Sequence, residues 1–119
     1  MTAIEPAHLV GTGGAIGALA RHYVAGLVAS DRFPLGTLTV NVVGSFVLGL
    51  VTFAGLGNDV LLLVGTGACG SFTTFSSFSF DTVHLWESGE RLRAGLNAGL
   101  NLAGALLAIG LAWGLVTLF

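Results

Sequence analysis

Four long apolar runs, at about 7–29, 35–54, 60–80 and 95–119, dominate the chain, and three short polar breaks part them. A helix of about 20 mostly apolar residues covers the hydrocarbon core of a bilayer, so each run predicts one membrane-crossing helix. The first run is interrupted by Arg21 and His22, and Asp31-Arg32-Phe33-Pro34 ends it with two charges and a proline. The second carries no charge and stops at Gly55-Leu56-Gly57-Asn58-Asp59, a turn by its glycines and polar residues. The third is uncharged but closes on a stretch rich in hydroxyls. Residues 81–93 hold half of the charged side chains and are expected to form an interfacial loop, after which the fourth run is uncharged to Phe119. The pattern predicts an all-α membrane protein, one domain over residues 1–119 with four transmembrane helices.

Composition agrees with that reading. Of 119 residues, 54% are hydrophobic, only 8% are charged and none is lysine, whereas a soluble domain carries about 25% charged residues. The mean hydropathy is +0.91. A net charge of −2 with four arginines leaves no basic patch for phosphates and excludes nucleic acid as a partner. The single Cys69 excludes an intrachain disulfide framework and a cysteine metal cluster. Glu5 stands where a cleavable signal peptide would carry a basic residue, so none is expected. Nineteen glycines against two prolines point to close helix packing, and the pairs Gly13/Gly17, Gly95/Gly99 and Gly110/Gly114 each lie four apart on one helix face. Four helices enclose little interior of their own, so an oligomer is expected. Arg32, Arg91 and Arg93 all fall in loops on one side, which by the positive-inside bias puts both termini outside.

Polar residues within an apolar run are costly, and two readings stand for each. Arg21 either snorkels to the interface or draws anions into a vestibule; His22 beside it reads as interfacial. Asn41 is either an interhelical hydrogen bond or a pore-lining donor. Asn97 and Asn101, at i and i+4, share a helix face and suit a polar path whose amide N–H groups could pass an anion. The segment 65–80, with Gly65, Gly67 and Gly70 ahead of a Thr/Ser cluster carrying Phe72, Phe75, Phe78 and Phe80, is a poor lipid-facing helix. It predicts a helix break within the membrane, tolerated there only if buried in protein or lining a cavity, and a break frees backbone carbonyls to hold a cation. Phe75 and Phe78 fall on one side of a helix, and the positive edges of their rings could attract a small anion. Composition alone reads them as packing residues.

Three motifs, in order on three of the four runs, resemble the Fluc (CrcB-type) fluoride-channel family. They are Gly13-Gly14-Ala15-Ile16-Gly17-Ala18-Leu19-Ala20-Arg21, then Asn41-Val42-Val43-Gly44-Ser45-Phe46, then Gly70-Ser71-Phe72-Thr73-Thr74-Phe75-Ser76-Ser77-Phe78-Ser79. The resemblance implies an antiparallel dimer of four-helix subunits with a break in the third helix and two hourglass pores in the cell membrane. Each pore would pass fluoride by passive diffusion, exclude chloride and relieve fluoride toxicity. It further implies that Asn41 is the pore-lining amide, that the edges of Phe75 and Phe78 meet the anion, and that the carbonyls of Gly70 and Thr73 hold a structural Na+ between subunits. Arg21, Asn97 and Asn101 complete the expected ion pathway. Fluoride is compact and tightly hydrated, so only closely spaced donors can replace its water.

The chain also departs from the family pattern. His22 replaces an aromatic, Asp81 replaces a glutamate, and Asn97 and Asn101 stand where Tyr and Ser are expected. Arginines on one side also differ from the balanced count of a dual-topology homodimer, which leaves open a heterodimer with an oppositely inserted homologue. Two other functions fit less well. A dual-topology multidrug exporter needs a carboxylate inside a span, and no Asp or Glu lies in one. A structural subunit of a larger membrane complex leaves the polar residues without purpose. No nucleophile–base or metal cluster supports an enzyme.

Overall fold

A computed structural model describes residues 4–119, and among them the regular structure is entirely helical. The elements are α1 (Pro6–Leu27), α2 (Leu35–Ala54), α3 (Asn58–Val60), a π-helix (Leu61–Cys69), α4 (Gly70–Phe72), α5 (Ser76–Glu87) and α6 (Arg91–Leu118). They form an elongated body of 58 × 31 × 20 Å. Pro6 opens α1, where a missing N–H costs nothing and the ring presets φ. Gly55 closes α2 in the left-handed conformation, at φ 66°.

Residues 81–93, expected as a loop, are mostly helical. α5 runs through Asp81 to Glu87, α6 starts at Arg91, and only residues 88–90 connect them. The stop signal is Gly89, at φ 84°. Its N–H bonds the Trp86 carbonyl (3.2 Å) while Glu90 N–H reaches back to Leu85 (2.9 Å), a paired closure of the last helical turn. Charge therefore marks where the chain meets water, and Gly89 marks where the helix ends.

The π-helix is the element that apolar periodicity does not foresee. Its wider i→i+5 bonding is visible where Gly70 N–H meets the Gly65 carbonyl. This segment lies against α1 with almost no side chain between the backbones. A Cβ on Gly13 would collide with the Leu63 carbonyl oxygen, and one on Gly17 with the Ala68 carbonyl and the Ser71 hydroxyl. A Cβ on Gly67 would lie 2.7 Å from the Val10 carbonyl oxygen. Gly13/Gly17 thus marks a true seam, sealed by Ser71 Oγ donating to the Gly14 carbonyl at 2.6 Å. The pairs Gly95/Gly99 and Gly110/Gly114 have open space where a Cβ would go and pack on nothing within the protomer. α2 and α6 meet through small residues too: a Cβ on Gly49 would sit 2.8 Å from that of Ala112, which is wholly buried.

Three helical stretches are long and apolar enough to cross a membrane, Leu35–Ala54, Asn58–Glu87 and Arg91–Leu118. α1 has the length, at 22 residues, but its glycines, His8, Arg21 and His22 make it less apolar. Many large apolar side chains, including Leu19, Leu102 and Leu107, are exposed on the protomer, as befits a surface that meets lipid or another chain instead of water.

Candidate functional site

Between α4 and α5 the backbone leaves helical geometry. Thr73 is extended, at φ −83° and ψ 164°, with its N–H (3.0 Å) and its hydroxyl (2.8 Å) both donating to the Cys69 carbonyl. Thr74 N–H does not return to Gly70; it donates to Asn41 Oδ1 at 2.8 Å, and Asn41 Nδ2 donates to the Thr74 carbonyl at 3.1 Å. One side chain from α2 thus satisfies both backbone polar groups of this residue. The Thr74 hydroxyl accepts from Ser77 N–H at 3.1 Å and so serves an early donor of α5. Among the described residues, the carbonyls of Gly70, Ser71, Phe72 and Thr73 accept no protein hydrogen bond.

Asn41 belongs to a longer line. Its Nδ2 also donates to Asn101 Oδ1 (2.9 Å). Asn101 Nδ2 donates to the Asn97 carbonyl (2.8 Å) and to Asn97 Oδ1 (3.0 Å), and Asn97 Nδ2 donates to Thr82 Oγ1 (2.9 Å). Thr82 Oγ1 then donates to the Phe78 carbonyl at 2.8 Å. That carbonyl can only accept, so the hydroxyl must donate to it and take the Asn97 N–H on its oxygen, and every amide upstream is oriented in turn. Such a satisfied network is what lets polar groups stay buried at low cost. Spacing put Asn97 and Asn101 on one face; it did not announce Asn41 or Thr82 as their partners. Thr82 stands one turn beyond Phe78, and that is the signal that could have found it.

An open cavity of about 820 Å3 borders this line, and Asn41, Ser45, Gly70, Thr73, Phe75, Phe78 and Asn101 are among its lining residues. Phe75 is 79% exposed on the protomer, and its ring centre lies 5.8 Å from that of Phe78 with the planes tilted by 46°. Asn97 has no exposed surface and does not line this cavity. Arg21 lies apart from that group, in a second recess of about 450 Å3 with His22, Thr37, Thr74 and Ser77. Thr74 borders both spaces, so the peptide held by Asn41 stands between them. Asp81 accepts a hydrogen bond from Thr37 Oγ1 at 2.8 Å.

Membrane-capable helices, open backbone beside a cavity and a largely apolar lining set with amides, hydroxyls and rings define a helical membrane protein with an uncharged recess. Residues 8–113 match the family described as CrcB-like protein, Camphor Resistance (CrcB), and the chain belongs to it. It is 67% identical over 116 residues to a Haloarcula marismortui protein named Fluoride-specific ion channel FluC 2, with 98% of each chain covered. It is 53% identical to Fluoride-specific ion channel FluC 1 of Halobacterium salinarum, covering 93% of each. With Fluoride-specific ion channel FluC 3 of Methanosarcina acetivorans it shares 43% identity over 88% of this chain and 96% of that one.

Proposed function

We propose that this protein is a fluoride-selective ion channel that lets cytoplasmic fluoride leave the cell by passive diffusion and so limits fluoride toxicity. The observation that carries the reading is the recess beside Asn41, Asn101, Phe75 and Phe78, whose polarity comes from amides, hydroxyls and ring edges without a carboxylate. Such a lining attracts a small anion weakly enough to release it. It offers nothing for proton-coupled drug export. The names of the relatives from Haloarcula and Halobacterium support the choice of fluoride.

Several finer features belong to the same proposal. α1 joins the other helices as a fourth span, and the extended residues at Thr73 form a helix break at membrane depth. Phe75, so exposed on one protomer, is covered in an antiparallel dimer in the plasma membrane, either of two copies or with an oppositely inserted homologue. The carbonyls of Gly70 and Thr73, free of protein donors, suit a structural Na+, a hard cation held by oxygen. Bound there, Na+ would supply fixed positive charge beside the pathway. Arg21 draws anions toward the second recess, Asn41 and Asn101 line the way in, and Phe75 and Phe78 present ring edges.

The test is anion efflux from liposomes loaded with fluoride or with chloride. Fluoride should leave quickly and chloride should stay, and replacing Na+ by N-methylglucamine on both sides should slow the fluoride efflux. Absence of fluoride flux from folded protein, or equal flux of chloride, overturns the channel reading.

A further inference from the structure

α5 carries Phe78 yet contributes no buried residue to the protein. It lies along α6 with Phe78, Asp81, Thr82 and Leu85 only half-buried, so directed hydrogen bonds share with packing in fixing its rotation. Among the described residues, two side-chain hydrogen bonds join it to the neighbouring long helices, and they come from consecutive positions. Asp81 accepts from Thr37 of α2 at 2.8 Å, and Thr82 accepts from Asn97 of α6 at 2.9 Å. Consecutive helical residues point about 100° apart, so these bonds reach two different helices. Phe78 precedes them by three and four residues, which places all three side chains on one face of α5. The Arg91 guanidinium over the Trp86 ring, 4.7 Å from its centre, acts a turn further on, where α5 ends.

Asn97 is the unusual member. It is 0% exposed, lines neither cavity, and its Nδ2 reaches Thr82 alone. A group with no access to the recess cannot touch an ion there. Its oxygen takes the Asn101 amide at 3.0 Å, so one side chain joins the wall of the recess to the helix that bears the ring.

We propose that Asn97 is a positioning residue: through Thr82 it sets the rotation of α5 and hence where the Phe78 ring edge stands in the recess. Resting on the channel reading for its effect on flux, the proposal concerns ring placement first. Asn97 donates to Thr82 Oγ1, Thr82 Oγ1–H donates to the Phe78 carbonyl, and the residue carrying the ring is held at its own backbone. Without the Thr82 hydroxyl the Asn97 N–H loses its buried acceptor, and of its two side-chain bonds to the long helices α5 keeps only that of Asp81, so its rotation is less constrained.

The experiment compares Thr82→Val, which keeps shape and removes the hydroxyl, with Thr82→Ser, which keeps the hydroxyl. Each is made in full-length protein carrying 4-fluorophenylalanine at position 78, and fluorine NMR is read beside fluoride efflux from liposomes. Thr82→Val should shift or broaden the position-78 signal and slow fluoride efflux roughly fivefold to tenfold, the effect of about one lost hydrogen bond. Thr82→Ser should restore both. Asn97→Leu cuts the same bond from α6, should move the same signal, and serves if Thr82→Val fails to fold. An unmoved signal in folded Thr82→Val or Asn97→Leu overturns the proposal, as does Thr82→Ser behaving like Thr82→Val. If the unsubstituted protein passes no fluoride, the channel reading fails, while the NMR comparison still decides whether Asn97 positions the ring.

Discussion

Two ways of holding helices together stand side by side in this molecule. The seam between α1 and the π-helix is backbone against backbone, with Gly13, Gly17 and Gly67 leaving no room for a single carbon. The seat of α5 is looser: no residue of that helix is fully buried where it lies along α6, and Asp81 and Thr82 add directed hydrogen bonds to α2 and α6. In lipid, where apolar surface gains nothing by leaving the solvent, close packing supplies rigid association. A hydrogen bond supplies direction. The rigid seam fits a scaffold, and the directed seat fits a ring that must point one way.

The largest effect expected from breaking this contrast is at the seam. Gly13→Val puts a branched Cβ into the Leu63 carbonyl oxygen, a backbone atom that cannot swing aside. The cost should exceed the roughly 1–3 kcal/mol of ordinary overpacking. Size-exclusion chromatography in detergent should show little or no folded protein.

At the α5 seat the same size of change should spare the fold. Phe78→Ile removes the ring edge from a half-buried position, so melting in detergent and the elution profile should stay near those of the unsubstituted protein. Fluoride efflux should fall by about tenfold or more, an increment of at least roughly 1.4 kcal/mol in the barrier. Unchanged efflux would return the ring to a packing role.

The smallest effect separates a real seam from glycine spacing alone. Gly110 has nothing within reach of an added Cβ in the protomer. Gly110→Ala should leave the melting temperature unchanged or slightly raised, since alanine in a helix is worth up to about 1 kcal/mol over glycine. A loss comparable to that of Gly13→Val would place Gly110 in a contact between subunits.

How far the fold could be read in advance differed by element. The apolar run at 35–54 coincides with α2, Leu35–Ala54, and the run at 7–29 lies within two residues of α1, Pro6–Leu27. These runs end where polar residues, glycine or proline supply both the chemical and the conformational stop. At α5 the charge run suggests a loop, whereas Asp81 and Glu87 lie within a helix that ends only as Gly89 turns left-handed. The apolar pattern does not set the π-helix apart, and its closest contacts, with α1, join residues about fifty apart. In the site, helical spacing grouped Asn97 with Asn101 and Phe75 with Phe78. Asn41 could not be joined to Thr74 and Asn101 by spacing, since three separate elements bring them together.

Helix length carries a consequence for the surrounding lipid. At about 1.5 Å per residue, the 20 residues of α2 span about 30 Å, close to the hydrocarbon thickness of a typical bilayer. The 28 residues of α6 run about 42 Å and reach well past it. A thicker membrane would find slack in α6 and none in α2, and α2 is the helix that carries Asn41. Bilayer thickness would thus bear first on α2, the helix that brings Asn41, Gly44 and Ser45 to the recess.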